Sequence, residues 1–312
     1  MAECVELMSD ALAALARGEV FQPLRTIVRP PDAGGLLGLM PAYRHGEHGA
    51  FGMKAICVFP GNPALGKDAH QGLVMLFSQE TGEPLALMNA SQITAIRTAA
   101  VSAVATRLLA RREASELGII GAGVQARTHL VALALVRAIR RARVACRNKE
   151  HAFELIREMQ EKVPFPIEAV SSNEAAVRDA DIIVTATSAH EPVINREWIA
   201  DGAHINAIGT HSPQSREIDT ATMAAARIFV DRRESALNEA GDYLLAARDG
   251  AVTPESIVAE IGELVIETKP GRTSASEITV FKSLGLAIED VVCAEYLYRK
   301  AKEENAGTWV DF

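Results

Sequence analysis

The run Gly121-Ala122-Gly123-Val124-Gln125-Ala126 has the spacing G-x-G-x-x-A. It follows the apolar stretch Leu117–Ile120 and opens a segment of helical periodicity, the setting that gives so short a pattern its weight. Here Gly121 permits a tight turn, Gly123 lets backbone approach a diphosphate with no Cβ in the way, and Ala126 lets helix pack on strand. The first N–H groups of the helix then offer donors and partial positive charge to the phosphates. A glycine turn without a ligand is the plain alternative, and the strand–helix alternation that follows argues against it. The chemistry implied is dinucleotide binding. The next apolar strand ends at Cys146-Arg147-Asn148-Lys149, where an NAD site has an acid for the ribose hydroxyls. Arg147 and Lys149 suit a 2′-phosphate instead. The sequence thus predicts NADP(H) over NAD(H), with NAD(H) still admitted; the plain alternative leaves Arg147 in solvent.

Three cations stand in otherwise apolar or small stretches: Arg25 in PLRTIV, Lys54 in GMKAICVFPGN and Arg97 in ITAIRTAA. Burying a charge unpaired is costly, so such a cation tends to face a cleft or a partner. Each alone reads as a surface or salt-bridged residue. Converging, the three would clamp a carboxylate through charge-assisted hydrogen bonds. The basic run Arg137, Arg140, Arg141 and Arg143 reads as a solvated helix end.

The elements that must position these residues fall into two styles. Residues 4–17 read as an amphipathic helix. Between Phe21 and Ala90, short β-like runs (24–28, 50–59, 72–78 and 84–88) are broken by Gly, Pro and Asn, which predicts a mostly antiparallel sheet. Gly82-Glu83 sits where a hairpin turn belongs. From Thr94 an Ala-rich helix precedes strands alternating with helices, the pattern of parallel βαβ units. Asn173 is placed to cap one of these helices, and the segment from Glu277 predicts a long final helix. That helix can return to the first domain. The fold class is α/β: a Rossmann-type doubly wound parallel sheet domain over 114–289, plus a discontinuous α+β domain formed by 1–113 with 290–312.

With 312 residues and a net charge of −8, the chain has room for about two domains and repels phosphate backbones, which argues against nucleic acid as a partner. Cys4, Cys57, Cys146 and Cys293 are too scattered for a zinc site or a disulfide framework, so no metal is expected and a reducing compartment fits. There is no signal-peptide pattern and no run of 18 apolar residues. The expectation is a cytoplasmic protein that does not span a membrane.

The chain resembles the ornithine cyclodeaminase/μ-crystallin family, and within it the μ-crystallin (ketimine reductase) type. PLRTIV, MPAY, DAHQG, ITAIRTAAVSAVAT, GAGVQA, INAIGT followed by REID, VDRRESALNEAGD and TVFKSLGLAIEDVV carry the resemblance over nearly the whole chain. It implies a homodimer formed through the N-terminal domain and a cleft between the two domains. It implies that Arg25, Lys54 and Arg97 hold a substrate carboxylate. Cofactor contacts are implied from Thr98, Ala122, Val124, Gln125, Arg147, Asn148, Thr187, Ser188 and Ile208, beside Gly121 and Gly123. His70, Lys282 and Ser283 are implied to lie near the nicotinamide, His70 on the substrate side. In one place the chain departs from the cyclodeaminases and archaeal alanine dehydrogenases. Where they carry an Asp in G-[AG]-D-x-P-G, this sequence has Gly209-Thr210-His211-Ser212-Pro213-Gln214. The μ-crystallin type also lacks that Asp, which tips the reading from cyclodeamination to imine reduction.

The expected activity is NAD(P)H-dependent reduction of an imine, cyclic by preference, with a carboxylate next to the C=N carbon. Lys54 and Arg97 would orient it, and His211 would donate the proton to nitrogen, its ordinary titration range suiting exchange near neutrality. Alternatively His211 is a structural loop residue. Asp231, Glu239 and Asp242 read as structural. The rivals are a reductive aminase on 2-keto acids, an ornithine cyclodeaminase (disfavoured by His211), and a crystallin-like binding protein without catalysis.

Overall fold

The computed structural model describes residues 1–310. Its contacts separate two units, one of Glu6–Arg97 with the chain from Gly285 onward, the other of Met1–Val5 with Thr98–Leu284. The crossings fall at 97/98 and 284/285, against the 113/114 and 289/290 read from the sequence. The first of these has a local cause. Ser102 and Thr106 belong to a helix begun in the first unit, yet they bond His129 and Asn206 of the second, at 2.8 and 3.0 Å.

After helix α1 (Ala2–Ala16), the first unit builds an antiparallel sheet from β1 (Val20–Phe21), β2 (Thr26–Val28), β3 (Leu36–Arg44), β4 (Ala50–Val58), β5 (His70–Ser78) and β6 (Pro84–Asn89). The order is β1-β3-β4-β5-β6, with β2 also on β3. Gly82 turns the β5–β6 hairpin at φ +75°. The sequence reading passed over β3, which contains Gly38 and Pro41. Pro41 falls between the stretches that β2 and β1 pair, at Leu37–Leu39 and Tyr43–Arg44, so its missing N–H breaks no ladder there. Side chains alternate across the sheet. On β4, Ala50, Gly52, Lys54 and Ile56 are buried on one face, while Phe51 is exposed on the other. Val28, Leu73 and Leu87 share that outer face and are exposed with it.

Helix α2 (Ala90–Leu109) leads into the second unit. Its strands are β7 (Glu116–Ile120), β8 (Arg141–Ala145), β9 (Ile167–Ala169), β10 (Ile182–Thr185), β11 (His204–Ala207), β12 (Arg227–Val230), β13 (Ile257–Glu260) and β14 (Thr279–Lys282). All neighbours are parallel, in the order β13-β12-β14-β11-β10-β7-β8-β9. The connecting helices include α3 (Val124–Ala134), α4 (Lys149–Met159), α5 (Asn173–Val177), α6 (Thr220–Ala225), α7 (Arg233–Glu239), α8 (Gly241–Arg248) and α9 (Ile261–Val265). The sheet is buried on both faces. Ile182 and Val184 enter one core with Leu117, Leu130 and Leu155, whereas Ile183 enters the other with Ile205, Met223 and Tyr243. Double burial explains why these strands read as continuous apolar runs.

The chain then returns to the first unit as α10 (Ala287–Glu304), which packs on β3, β4 and β5. A Cβ on Gly52 would sit 2.6 Å from Val291, so glycine there lets α10 lie close to the sheet.

Three local expectations are corrected. Residues 279–282 form strand β14, so the final helix begins at Ala287 and not near Glu277. Ser172, not Asn173, caps α5, accepting from Ala175 N at 3.1 Å, while the Asn173 amide donates to Val193 O. The basic run is a helix end only at its start: Arg137 N–H donates to Leu133 O just past α3 and its side chain donates to the carbonyls of Thr106, Ala110 and Arg111 at the end of α2, whereas Arg141 and Arg143 lie on β8. Among the described residues, no helix is long and apolar enough to cross a membrane.

Candidate active site

The glycine turn joins β7 to α3. Gly121 has φ +111°, and a Cβ on it would collide with the carbonyl oxygen of Ala186. Gly123 differs: it is the N-cap of α3, makes no side-chain cap bond, and a Cβ on it would enter open space. Arg127 donates to Ala122 O at 2.6 Å and pairs with Glu158 at 2.6 Å, which ties the turn's carbonyl side to α4. The α3 amides face an open, exposed turn, so these residues fit a diphosphate. The chain passes from β7 to β8 and β9 on one side and to β10 and β11 on the other, which makes β7/β10 the switch point where such sheets bind ligands.

Beyond β8, Arg147 and Lys149 are exposed. Asn148 caps α4, its Oδ1 accepting from Glu150 N at 3.0 Å, so its side chain has a structural task. Beyond β10 and β11, Thr187 is half-buried, Ser188 and His211 are exposed, and Ile208 is buried. Thr98 and Ser283 are buried as well. Lys282 has no exposed surface: its ammonium pairs with Asp242 at 2.9 Å and donates to Thr210 O at 2.7 Å. Its charge faces into the unit and holds the segment that precedes His211.

In the other unit, the three predicted cations converge on the start of α10. Lys54, on the buried face of β4, lies 2.7 Å from Asp290. Arg97, near the middle of α2, donates to Glu289 at 2.6 Å and to Asp290 at 3.1 Å. Arg25 donates to Gly285 O at 2.9 Å. Gly285 has φ +75°, and a Cβ on it would stand 2.6 Å from the Arg97 guanidinium, so only glycine fits beside it. Glu289 and Asp290 occupy the first turn of α10, where its dipole favours negative charge. The five side chains sum to one formal positive charge.

Burial pushes the Lys54 ammonium down to about 8, against the pull of Asp290 and with Arg97 adding to the fall. For Arg97, burial opposes the charge, but Asp290 and Glu289 outweigh it and hold the guanidinium above its usual range. His70 opens β5. The residue is exposed at the strand end, and partial desolvation of its imidazole together with the charges of Lys54 and Arg97 pushes it below the ordinary value. The sequence reading named the cations and missed their counter-charges. The signal was present: two adjacent acids in the apolar stretch LGLAIEDVV cannot both be buried without cations to meet them. It also passed over Glu217, whose carboxyl is buried beneath the ends of β10 and β11.

A doubly wound parallel sheet with an open glycine turn at its switch point defines a Rossmann-type dinucleotide-binding protein with a second, α+β unit. The chain belongs to the ornithine cyclodeaminase/mu-crystallin family, which it matches over residues 1–305. It superposes on the Δ1-pyrroline-2-carboxylate reductase of Thermococcus litoralis, solved with NADH and L-proline, with a TM-score of 0.97. The two are 40% identical over 99% of this chain and 96% of that one. It is 40% identical to the ketimine reductase mu-crystallin of Mus musculus, over 93% of this chain and 90% of that protein. An archaeal alanine dehydrogenase dimer with bound NAD superposes with a TM-score of 0.93 at 34% identity, over 100% of this chain and 95% of that one.

Proposed function

We propose that this protein reduces a cyclic imine bearing a carboxylate on the C=N carbon to the cyclic amino acid. The observation that carries the reading is that buried Lys54 and Arg97, with half-buried Arg25, converge on the start of α10, three cations against the two acids Glu289 and Asp290. When bound, the reduced nicotinamide supplies a hydride to the imine carbon. Arg25, Lys54 and Arg97 bind and orient the carboxylate, and fixed ion pairs mean little reorganisation on binding. His70 stands at the head of β5, on the strand that pairs with the one carrying Lys54, and its imidazole is held below the ordinary value by desolvation and in part by the charges of Lys54 and Arg97. His211, exposed on the segment after β11, supplies the proton that nitrogen gains. Gly121, Ala122, Gly123, Val124 and Gln125 receive the diphosphate, with Thr98, Thr187, Ser188 and Ile208 toward the nicotinamide. Lys282 and Ser283 act from beneath rather than by direct contact.

NADPH is the preferred cofactor on this reading, on the strength of Arg147 and Lys149. The related structures hold NADH or NAD, so both cofactors belong in the assay. A second copy of the chain covers the apolar outer face of the first unit's sheet, where Phe51, Leu73 and Leu87 stand exposed. Leu87→Lys then converts a dimer to a monomer in sedimentation. The four free thiols suit a reducing, cytoplasmic setting.

The deciding experiment offers five- and six-membered cyclic ketimine carboxylates, and pyruvate with ammonia or methylamine, with each cofactor. Oxidation of NADPH by the preformed imines, lost in Arg97→Ala, is the expected result. The alanine dehydrogenase relative favours a second reading, reductive amination of a keto acid. Turnover of pyruvate with ammonia, and none of a preformed cyclic imine, selects it. Dinucleotide binding with no turnover of any substrate leaves a binding protein.

A further inference from the structure

Glu217 lies between β11 and α6 and has no exposed surface. Its Oε1 accepts from the Thr187 backbone N–H and hydroxyl, both at 2.7 Å. Its Oε2 accepts from the Thr185 hydroxyl at 3.0 Å and from Gly209 N at 2.6 Å. These four donors come from the ends of two neighbouring parallel strands. A Cβ on Gly209 would press on the Glu217 carboxyl and on the Thr187 backbone, so glycine there lets the two strand ends meet over the acid.

A second layer holds Glu217 itself. Asp242 Oδ1 accepts from Glu217 N and Ile218 N, at 2.7 and 2.8 Å. Its Oδ2 accepts from the Thr210 hydroxyl at 3.1 Å and pairs with Lys282 at 2.9 Å. Burial pushes the Glu217 carboxyl up and Lys282 opposes that rise. A charge so deep is tolerated only when its lone pairs are met, as they are here.

β10 and β11 lie across the switch point from β8 and β9. In a doubly wound sheet the strand after the glycine turn reads the adenosine half, and strands beyond the switch point serve the other mononucleotide half. We propose that Glu217, backed by Asp242 and Lys282, is a positioning residue that fixes the strand-end loops at Thr187 and Gly209 for the nicotinamide half of the dinucleotide. It touches no cofactor atom; it sets the backbone that does. The inference rests on the dinucleotide reading above and adds to it the division of labour between the two halves.

Glu217→Gln keeps the shape but turns an NH2 group toward donors, leaving a Thr187 or Gly209 amide without an acceptor. The test measures, by calorimetry on the full-length protein, affinity for NADPH and for adenosine 2′,5′-bisphosphate, which lacks the nicotinamide half. NADPH should bind roughly tenfold more weakly to the variant, the change expected from one lost buried hydrogen bond. The fragment should bind unchanged. Thr185→Val, buried and nearly isosteric, removes one donor and should move NADPH alone in the same direction, which provides the measurement if Glu217→Gln does not fold. Equal weakening of both ligands, or no change in either, overturns the assignment. If the wild-type protein takes NADH in place of NADPH, NADH and ADP replace the two ligands in the same comparison; binding of none of the four removes the dinucleotide reading itself, and this inference with it.

Discussion

Asp290→Asn removes a negative charge 2.7 Å from the Lys54 ammonium and preserves side-chain volume. Lys54 is held at about 8 by burial, opposed by Asp290 and reinforced by Arg97. At pH 7 about ten molecules then carry the charge for one that does not. Losing an opposite charge at this range lowers a pKa by about 1–3 units. Taking roughly 2 units, Lys54 in the variant titrates near pH ~6 and is about 90% neutral at pH 7. A carboxylate that requires the charged form therefore binds about tenfold more weakly at pH 7, a loss of about 1.4 kcal/mol, and recovers by pH ~5. In the wild-type protein the same ligand should lose about tenfold between pH 7 and pH 9, because the lysine empties across its own titration. The ligand is furan-2-carboxylate, whose charge is constant over this range, titrated by calorimetry. Thermal melting at each pH checks that the variant is folded. A flat wild-type affinity from pH 7 to 9, or equal weakening of the variant at pH 5 and pH 7, refutes the reasoning.

The two turn glycines should separate stability from binding. Gly121→Ala forces a Cβ onto Ala186 O at φ +111° and should lose at least about 1–3 kcal/mol of stability in urea. Gly123→Ala should change stability by less than about 1 kcal/mol yet weaken NADPH, because its Cβ projects into the open space over the α3 amides. Arg147→Ala should lower the NADPH-to-NADH preference by roughly tenfold or more, the worth of a charge-assisted bond, with NADH kinetics unmoved; equal effects on both cofactors remove Arg147 from the 2′-phosphate. His129 and His204 give the second unit an acid limit. Burial holds them neutral, at about 4 and about 3, the latter helped down by Arg272. The unfolded chain takes up protons below about pH 6.5 and the folded one does not, so stability is full above that pH and lost on acidification. At pH 5 each histidine should cost about 2 kcal/mol relative to neutral pH. Equal urea midpoints at pH 7 and pH 5 contradict this.

Local chemistry spoke clearly where the physical demand was local. G-x-G-x-x-A needs only a strand before it and a helix after it, and continuous apolar runs such as DIIVTA report burial on both faces of a sheet. The blocks from PLRTIV to SLGLAIEDVV revealed the family because they lie along the whole chain. Other features were set by partners distant in sequence. Residues 279–282 look helical beside the α10 pattern but extend between β11 and β12, since pairing in a sheet outweighs local periodicity. Pro41 argues against β3 until the gap between β1 and β2 is seen. Arg25, Lys54 and Arg97 could be named from their apolar neighbours, but Glu289 and Asp290, about 190 residues further on for Arg97, were found only through folding. Sequence alone fixes which residues can carry charge. The tertiary structure decides which charges meet, because an ion pair in low dielectric depends on a few ångströms that no linear spacing encodes.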